Sequence, residues 1–263
     1  MELKDKIIVI TGAGSGIGRA MAVRFKEEGA KHIVAVDINA ANVKATADLV
    51  GCHAMTADVS SEADMLKVIE ETETNLGPID LFCSNAGVGI APALDSPDQE
   101  WQKSWDINVM SHVYISRHLV PRMVARGGGY FLITSSAAGL LNQIGGASYG
   151  VTKHAAVGFG EWLAIHHQHQ GIRVSMLCPQ AVRTAMTTAG DAQQSAQIQS
   201  ASVDGMIEPE EAMESVVQGL RDERFLILPH KIVLDYMRGK TADYDRWIGG
   251  MNKLMRSLMS TSD

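Results

Sequence analysis

Tyr149 stands four residues before Lys153 in SYGVTKHAAVGF, the stretch that begins at Ser148. Helical residues four apart share a face, and the apolar spacing of YGVTKHAAVGF predicts a helix. A free phenol titrates near pH ~10, too high for a base at neutral pH. A neighbouring ammonium favours the phenolate, so Lys153 is expected to lower the pKa of Tyr149. A phenol tuned in this way can take a proton from an alcohol or give one to a developing alkoxide. Just past a short apolar run, ITSSAAG supplies Ser135 and Ser136. Either hydroxyl could donate to a substrate oxygen as charge builds there, and either could instead cap a helix. Taken alone, the Tyr–Lys pair is an ordinary solvated helix face; chemistry requires something to bind beside it.

KDKIIVITGAGSGIGRAMAVRF supplies that site, because it reads as strand, glycine-rich turn and helix. Gly12 can take backbone angles that residues with a Cβ avoid. Gly16 and Gly18 let the backbone approach a pyrophosphate and let the helix pack on the sheet, while the helix N-terminus offers free N–H groups and a positive dipole end. The second apolar run ends in VAVDIN, placing Asp37 19 residues after Gly18. A carboxylate there accepts hydrogen bonds from both ribose hydroxyls and repels a ribose phosphate. Ile38 beside it offers no cation, so NAD is favoured over NADP. Asp58, in ADVSS, either meets the adenine edge or caps the helix that begins near Ser61.

These groups need a scaffold. Candidate strands are Lys6–Ile10, His32–Val36, His53–Ala57, Leu81–Ser84, Tyr130–Thr134, Arg173–Cys178 and Phe225–Leu228. Helical patterns at Gly18–Glu28, Glu62–Leu76, Trp101–Ala125 and Ala155–Gln168 separate them. Such alternation predicts an α/β fold, a doubly wound (Rossmann) parallel sheet of about seven strands with helices on both faces. With no repeat or linker, the 263 residues are expected to form a single dinucleotide-binding oxidoreductase domain, 1–263. The polar, weakly patterned stretch 187–205 precedes a helix start at Glu208-Pro209-Glu210-Glu211 and is expected to be a substrate lid. The tail, 231–260, carries Tyr244, Trp247, Ile248, Met251, Leu254, Met255 and Leu258 as an amphipathic stripe. That stripe packs on its own domain, contacts another subunit or covers a neighbour's pocket.

Composition excludes other classes. The 23 basic and 30 acidic residues give a net charge of −7, which argues against nucleic acid or an anionic membrane as the main partner. No apolar run is long enough to span a bilayer, and the N-terminus lacks a signal peptide's apolar core. Cys52, Cys83 and Cys178 lie far apart and fit reduced thiols in a cytoplasmic protein. His166, His167 and His169 have poor ligand spacing and read as an exposed helix end, so no metal is expected.

TGAGSGIG from Thr11, DV at Asp58, NAG from Asn85, the lone Asn108, ITSSAAG and YGVTK together resemble the compact single-domain branch of the short-chain dehydrogenase/reductase family. They occur in that family's order over residues 5 to about 184, with Ser136 13 residues before Tyr149. The resemblance implies a nicotinamide cofactor held by Gly12, Ser15, Gly16, Ile17 and Gly18, by Asp37, Asp58 and Val59, and by Asn85, Ala86 and Gly87. Tyr149, Lys153, Pro179 and Thr184 complete that set. It selects Ser136 over Ser135 and implies a catalytic group of Ser136, Tyr149, Lys153 and Asn108, with Asn108 holding a water that links Lys153 to solvent. The sequence departs from the family at Ser84, where an asparagine is usual, and at Gln180, where glycine usually follows Pro179.

The expected reaction moves a hydride between NAD and a largely apolar secondary alcohol or its ketone. The substrate is expected to meet Ser136, Gln143, Tyr149, Gln180 and Met186, within a wall that adds Ile90, Leu141, Ile144 and Val182. An NADP-dependent carbonyl reductase and a non-catalytic nucleotide-binding scaffold are the alternatives. The resemblance also implies a homotetramer or homodimer, its long helices pairing across a two-fold axis.

Overall fold

The computed structural model describes residues 1–90, 93–188 and 198–260. Seven strands form one sheet: β1 (Ile7–Thr11), β2 (His32–Asp37), β3 (His53–Thr56), β4 (Leu81–Ser84), β5 (Gly129–Thr134), β6 (Ile172–Leu177) and β7 (Leu226–Ile227). Every neighbouring pair is parallel, in the order β3-β2-β1-β4-β5-β6-β7. The winding reverses between β1 and β4, so the connections leaving those strands diverge and open a crevice at their carboxyl ends.

Both faces of the sheet are covered at its centre, which is why β1 and β4 are buried at every position rather than at alternate ones, while the edge strand β3 is largely exposed. Ile8 and Ile10 of β1 pack in one core cluster with Met21 and Phe25 of α1 (Gly16–Glu27) and Val216 of α9 (Pro209–Arg221). Val9 points the other way, into a cluster with Ile69 of α3 (Glu62–Asn75), Leu119 of α5 (Ser111–Ala125) and Leu163 of α7 (Ala147–His167). A third, smaller cluster joins Leu141 of α6 (Ala138–Leu141) to Val233 of α10 (Ile232–Ala242), with Trp247 of α11 (Tyr244–Ser260) against it. The tail stripe therefore packs on its own domain through Trp247. α8 (Ala185–Thr188) follows β6, and residues 198–201 are helical. The middle of the stretch expected to be a lid, 189–197, lies outside the described residues.

Helix boundaries differ from expectation in instructive ways. The pattern Trp101–Ala125 is not one helix. α4 (Asp98–Trp105) and α5 are joined by a π-helical turn at Asp106–Met110, within which the Asn108 side chain clamps the Val88 backbone through two hydrogen bonds. The helix expected over YGVTKHAAVGF and the pattern Ala155–Gln168 are one element, α7, which begins at Ala147 and carries Tyr149 and Lys153 in its first turns as expected. α2 (Ala40–Val50) was not anticipated; Asn39 caps it by accepting from the Asn42 N–H at 3.0 Å. The predicted start at Pro209 holds, with Glu208 and Glu211 forming a capping box. Among the described residues, no helix is long and apolar enough to cross a membrane.

Candidate active site

The carboxyl end of the sheet carries a crevice of about 370 Å³, walled by every residue the sequence assigned to the cofactor. Its floor is the turn between β1 and α1. Gly12 has φ +66° and Gly16 φ +49°, and a Cβ at Gly18 would lie 2.2 Å from the Gly12 carbonyl oxygen. No side chain caps α1, so its first N–H groups face the crevice uncompeted. This cradle fits a dinucleotide pyrophosphate: it admits backbone where side chains would collide and presents donors to an anion. Asn85 ties the crevice edge to β1, donating from Nδ2 to the Thr11 carbonyl at 3.0 Å.

Asp37 ends β2 at the far edge of the crevice. Its Oδ2 accepts from the Gly14 N–H and its Oδ1 from the Asn39 N–H, each at 2.9 Å. The same carboxylate therefore fixes the phosphate turn and retains acceptor capacity for hydroxyls. Ile38 beside it is 68 % exposed. Among the described lining residues Lys153 is the one cation, and Asp37 and Asp58 supply the acidic charge. Asp58 accepts from Ser60 N at 2.9 Å and Ser60 Oγ at 2.7 Å. Ser61, not Asp58, caps α3.

At the other end of the crevice, Ser136, Tyr149 and Lys153 come together. The structure separates the two serines. Both line the crevice, but Ser135 Oγ donates to the Lys153 carbonyl at 2.9 Å, tying the end of β5 to α7, whereas Ser136, whose Oγ donates to the Pro179 carbonyl at 3.3 Å and accepts from the Ala138 N–H at 3.1 Å, also borders the adjoining cavity. Lys153 is only 3 % exposed; its Nζ donates to the Thr134 carbonyl at 3.0 Å and lies 5.7 Å from the centre of the Tyr149 ring. Burial sets the electrostatics. Desolvation holds the Lys153 ammonium down to about 8. It pushes the Tyr149 phenol above its ordinary value, with the Ser136 hydroxyl pulling the other way. The expectation that Lys153 lowers the phenol is thus corrected: loss of solvation sets the direction, and the group that opposes it is the Ser136 hydroxyl rather than the lysine.

Asn108 is fully buried and spends its side chain on structure. Oδ1 accepts from Val88 N at 2.9 Å, and Nδ2 donates to the Val88 carbonyl at 2.9 Å and to Thr152 Oγ1 at 3.0 Å. A Cβ on Gly87 would sit 3.1 Å from Lys153 Nζ and 3.2 Å from Asn108 Oδ1, so the strand end and the lysine touch.

A second cavity of about 260 Å³ adjoins the crevice, sharing Ser136, Tyr149, Gln180 and Met186. Leu141, Gln143 and Ile144 wall it as expected. Val182 lines the crevice instead, and Ile90 lines neither; its carbonyl accepts from Ser148 Oγ. Four further walls come from the tail, Tyr236, Trp247, Met251 and Leu254. The sequence showed their amphipathic spacing but not the surface they would meet. It also passed over a buried pair. Ser84, noted only as a departure, lies 2.6 Å from Nδ1 of His112, whose pKa burial and Lys153 push down to about 3. His166 and His167 lie on the exposed end of α7, each Nδ1 within hydrogen-bond distance of a neighbour, the Trp162 carbonyl and Gln170 Oε1.

Comparison with known proteins gives the same picture. A family model for the short chain dehydrogenases matches residues 6–195. Human epidermal retinol dehydrogenase 2 is 29 % identical over 245 residues, covering 88 % of this chain and 76 % of that protein. Meso-2,3-butanediol dehydrogenase of Serratia marcescens is 34 % identical over 190 residues, covering 71 % and 75 %. A short-chain dehydrogenase/reductase from Burkholderia phymatum, solved in complex with NAD, superposes with a TM-score of 0.84 at 28 % identity over 93 % of this chain and 96 % of that one. With that family's sheet, its phosphate turn and its Ser–Tyr–Lys residues along one crevice, the chain belongs to the short-chain dehydrogenase/reductase family of nicotinamide-dependent oxidoreductases.

Proposed function

We propose that the chain is an NAD-dependent dehydrogenase of largely apolar secondary alcohols, acting also on the corresponding ketones. The observation that carries this reading is the junction of two cavities. One holds the glycine cradle and Asp37, the other is apolar, and Ser136 and Tyr149 border both. A carbonyl or alcohol oxygen placed at that junction meets two hydroxyl groups. Ser136 donates to it while charge builds. Tyr149 exchanges the proton: the phenol, kept protonated by burial, donates to a developing alkoxide and is left as phenolate, and in oxidation the phenolate takes the alcohol's proton and returns to phenol. When bound, the oxidised nicotinamide supplies the hydride acceptor and a positive charge beside the phenol. Lys153 adds its own charge beneath the ring and is the group able to reach a ribose hydroxyl of the dinucleotide. Asn108 acts through packing, fixing Val88 and Thr152 around Lys153.

Preference for NAD rests on Asp37 and on the lack of any cation beside it among the described lining residues, since a ribose phosphate would face a carboxylate unaided. An apolar substrate fits the walls Leu141, Ile144, Met251 and Leu254. We include a homo-oligomer in this reading, supported by the exposed stripe Val151, Trp162 and Ile165 on α7. Free, well-separated thiols suit a cytoplasmic setting.

The test is a spectrophotometric screen of secondary alcohols and ketones with each cofactor in turn. Turnover of apolar cyclic or aromatic members with NAD is expected. Equal or faster turnover with NADP rejects the cofactor assignment, and turnover confined to sugars or phosphates rejects the substrate class. Only monomer in light scattering at micromolar concentration rejects the oligomer.

A further inference from the structure

We propose that Gln180 selects substrates carrying a second hydroxyl next to the reacting carbon, its side-chain carbonyl accepting that hydroxyl's hydrogen bond. The inference rests on the reading above and deepens it. Three observations carry it. First, Gln180 borders both cavities, as do Ser136 and Tyr149. Gln180 therefore lines the same junction as the groups that would hold the reacting oxygen.

Second, the amide has only one admissible orientation. Gln180 Nε2 donates to Asp204 Oδ2 at 3.0 Å, and a carboxylate only accepts, so the NH2 end must face Asp204. Asp204 is itself held through its other oxygen, which accepts from the Tyr236 hydroxyl at 2.9 Å. The Gln180 backbone is fixed as well, its N–H donating to His230 Nδ1 at 3.2 Å. Asp204 and Tyr236 are thus positioning residues, and they come from the stretch before α9 and from the tail.

Third, the other end of the amide is unsatisfied. Gln180 Oε1 is buried and has no hydrogen-bond partner. A buried carbonyl oxygen without a donor is costly, and a ligand that supplies one gains that deficit as selectivity. The acceptor is neutral and the cavity walls are apolar, so the matching donor is a hydroxyl rather than an ammonium. The substrate class is an apolar vicinal diol or its α-hydroxy ketone.

The experiment compares trans-1,2-cyclohexanediol with cyclohexanol, and 2-hydroxycyclohexanone with cyclohexanone. In the parent enzyme kcat/KM is expected to favour the hydroxylated member by roughly tenfold or more. Gln180→Met keeps the side-chain length, removes the acceptor and brings the ratio close to one. Tyr236→Phe and Asp204→Asn, which free the amide to rotate, lower the ratio part of the way. Adding Tyr236→Phe to Gln180→Met lowers it no further. A merely structural role would reduce both members of a pair alike and leave the ratio standing. Calorimetric binding of the two ketones to the NADH-bound protein reads the same preference without turnover. If that preference is present and lost in Gln180→Met while nothing turns over, the proposed reaction fails and the inference stands. A parent ratio near one, a ratio that survives Gln180→Met, absence of binding by either ketone, or an effect of Gln180→Met on NADH affinity alone would overturn the inference.

Discussion

Replacing Lys153 with methionine should stabilise the cofactor-free protein at pH 6 while disabling the enzyme. The side chain is 3 % exposed and its pKa is held to about 8 against 10.5 for a free lysine. A difference of that size is a burial penalty on the order of 3 kcal/mol for the charged form. Below pH 8 both folded and unfolded chains are protonated, so the penalty is felt in full. Between pH 8 and 10.5 the folded protein releases the proton first, and the penalty fades as pH rises. Methionine keeps the apolar stem but loses the bond to the Thr134 carbonyl, worth about 1 kcal/mol. The net expectation is a gain of roughly 2 kcal/mol at pH 6, about 4–8 °C in Tm for a chain of this size. Near pH 10.5 the gain disappears and the sign reverses. The assay is thermal unfolding of parent and variant at half-unit steps from pH 6 to 10.5. A variant less stable than the parent at pH 6, or a difference that stays flat with pH, would refute the claim that Lys153 is a strained buried cation.

Other expectations follow from the same geometry. Asp37→Asn should narrow the preference between NAD and NADP by at least tenfold, read from kcat/KM with each cofactor, because removing the carboxylate removes the repulsion of the ribose phosphate. Gly18→Ala should abolish NADH binding in a fluorescence titration or prevent folding, since its Cβ would lie 2.2 Å from the Gly12 carbonyl oxygen. His112, held neutral with a pKa of about 3, must gain a proton on unfolding at any pH between about 3 and 6.5. Stability should therefore fall as pH drops through that window, and His112→Met should flatten the fall in urea midpoints.

What the sequence revealed was local. The phosphate turn, Asp37 and the Tyr149–Lys153 pair each depend on residues close together in the chain, with a fixed spacing that physics constrains. The second cavity depends on distance. Tyr236, Trp247, Met251 and Leu254 lie about a hundred residues from Leu141 and Gln143, and an amphipathic stripe does not say which surface it covers. The direction of the Tyr149 shift was misread for a related reason: a pairwise spacing predicts the attraction of Lys153, whereas desolvation sums over everything that buries both groups. The π-helical turn at Asn108 and the Ser84–His112 pair likewise arise from contacts between separate elements. Gln180 stood out in the sequence as a departure, but Asp204 and Tyr236, which orient it, did not.

Tyr149→Phe tests the proposed reaction most directly, because it removes one oxygen atom and leaves the ring over Lys153 in place. With NAD or NADH and a substrate that the parent turns over, the variant should still bind NADH by fluorescence titration while kcat falls by about a thousandfold or more. A Phe variant that keeps the parent's kcat would show that the proton travels elsewhere and would contradict the account.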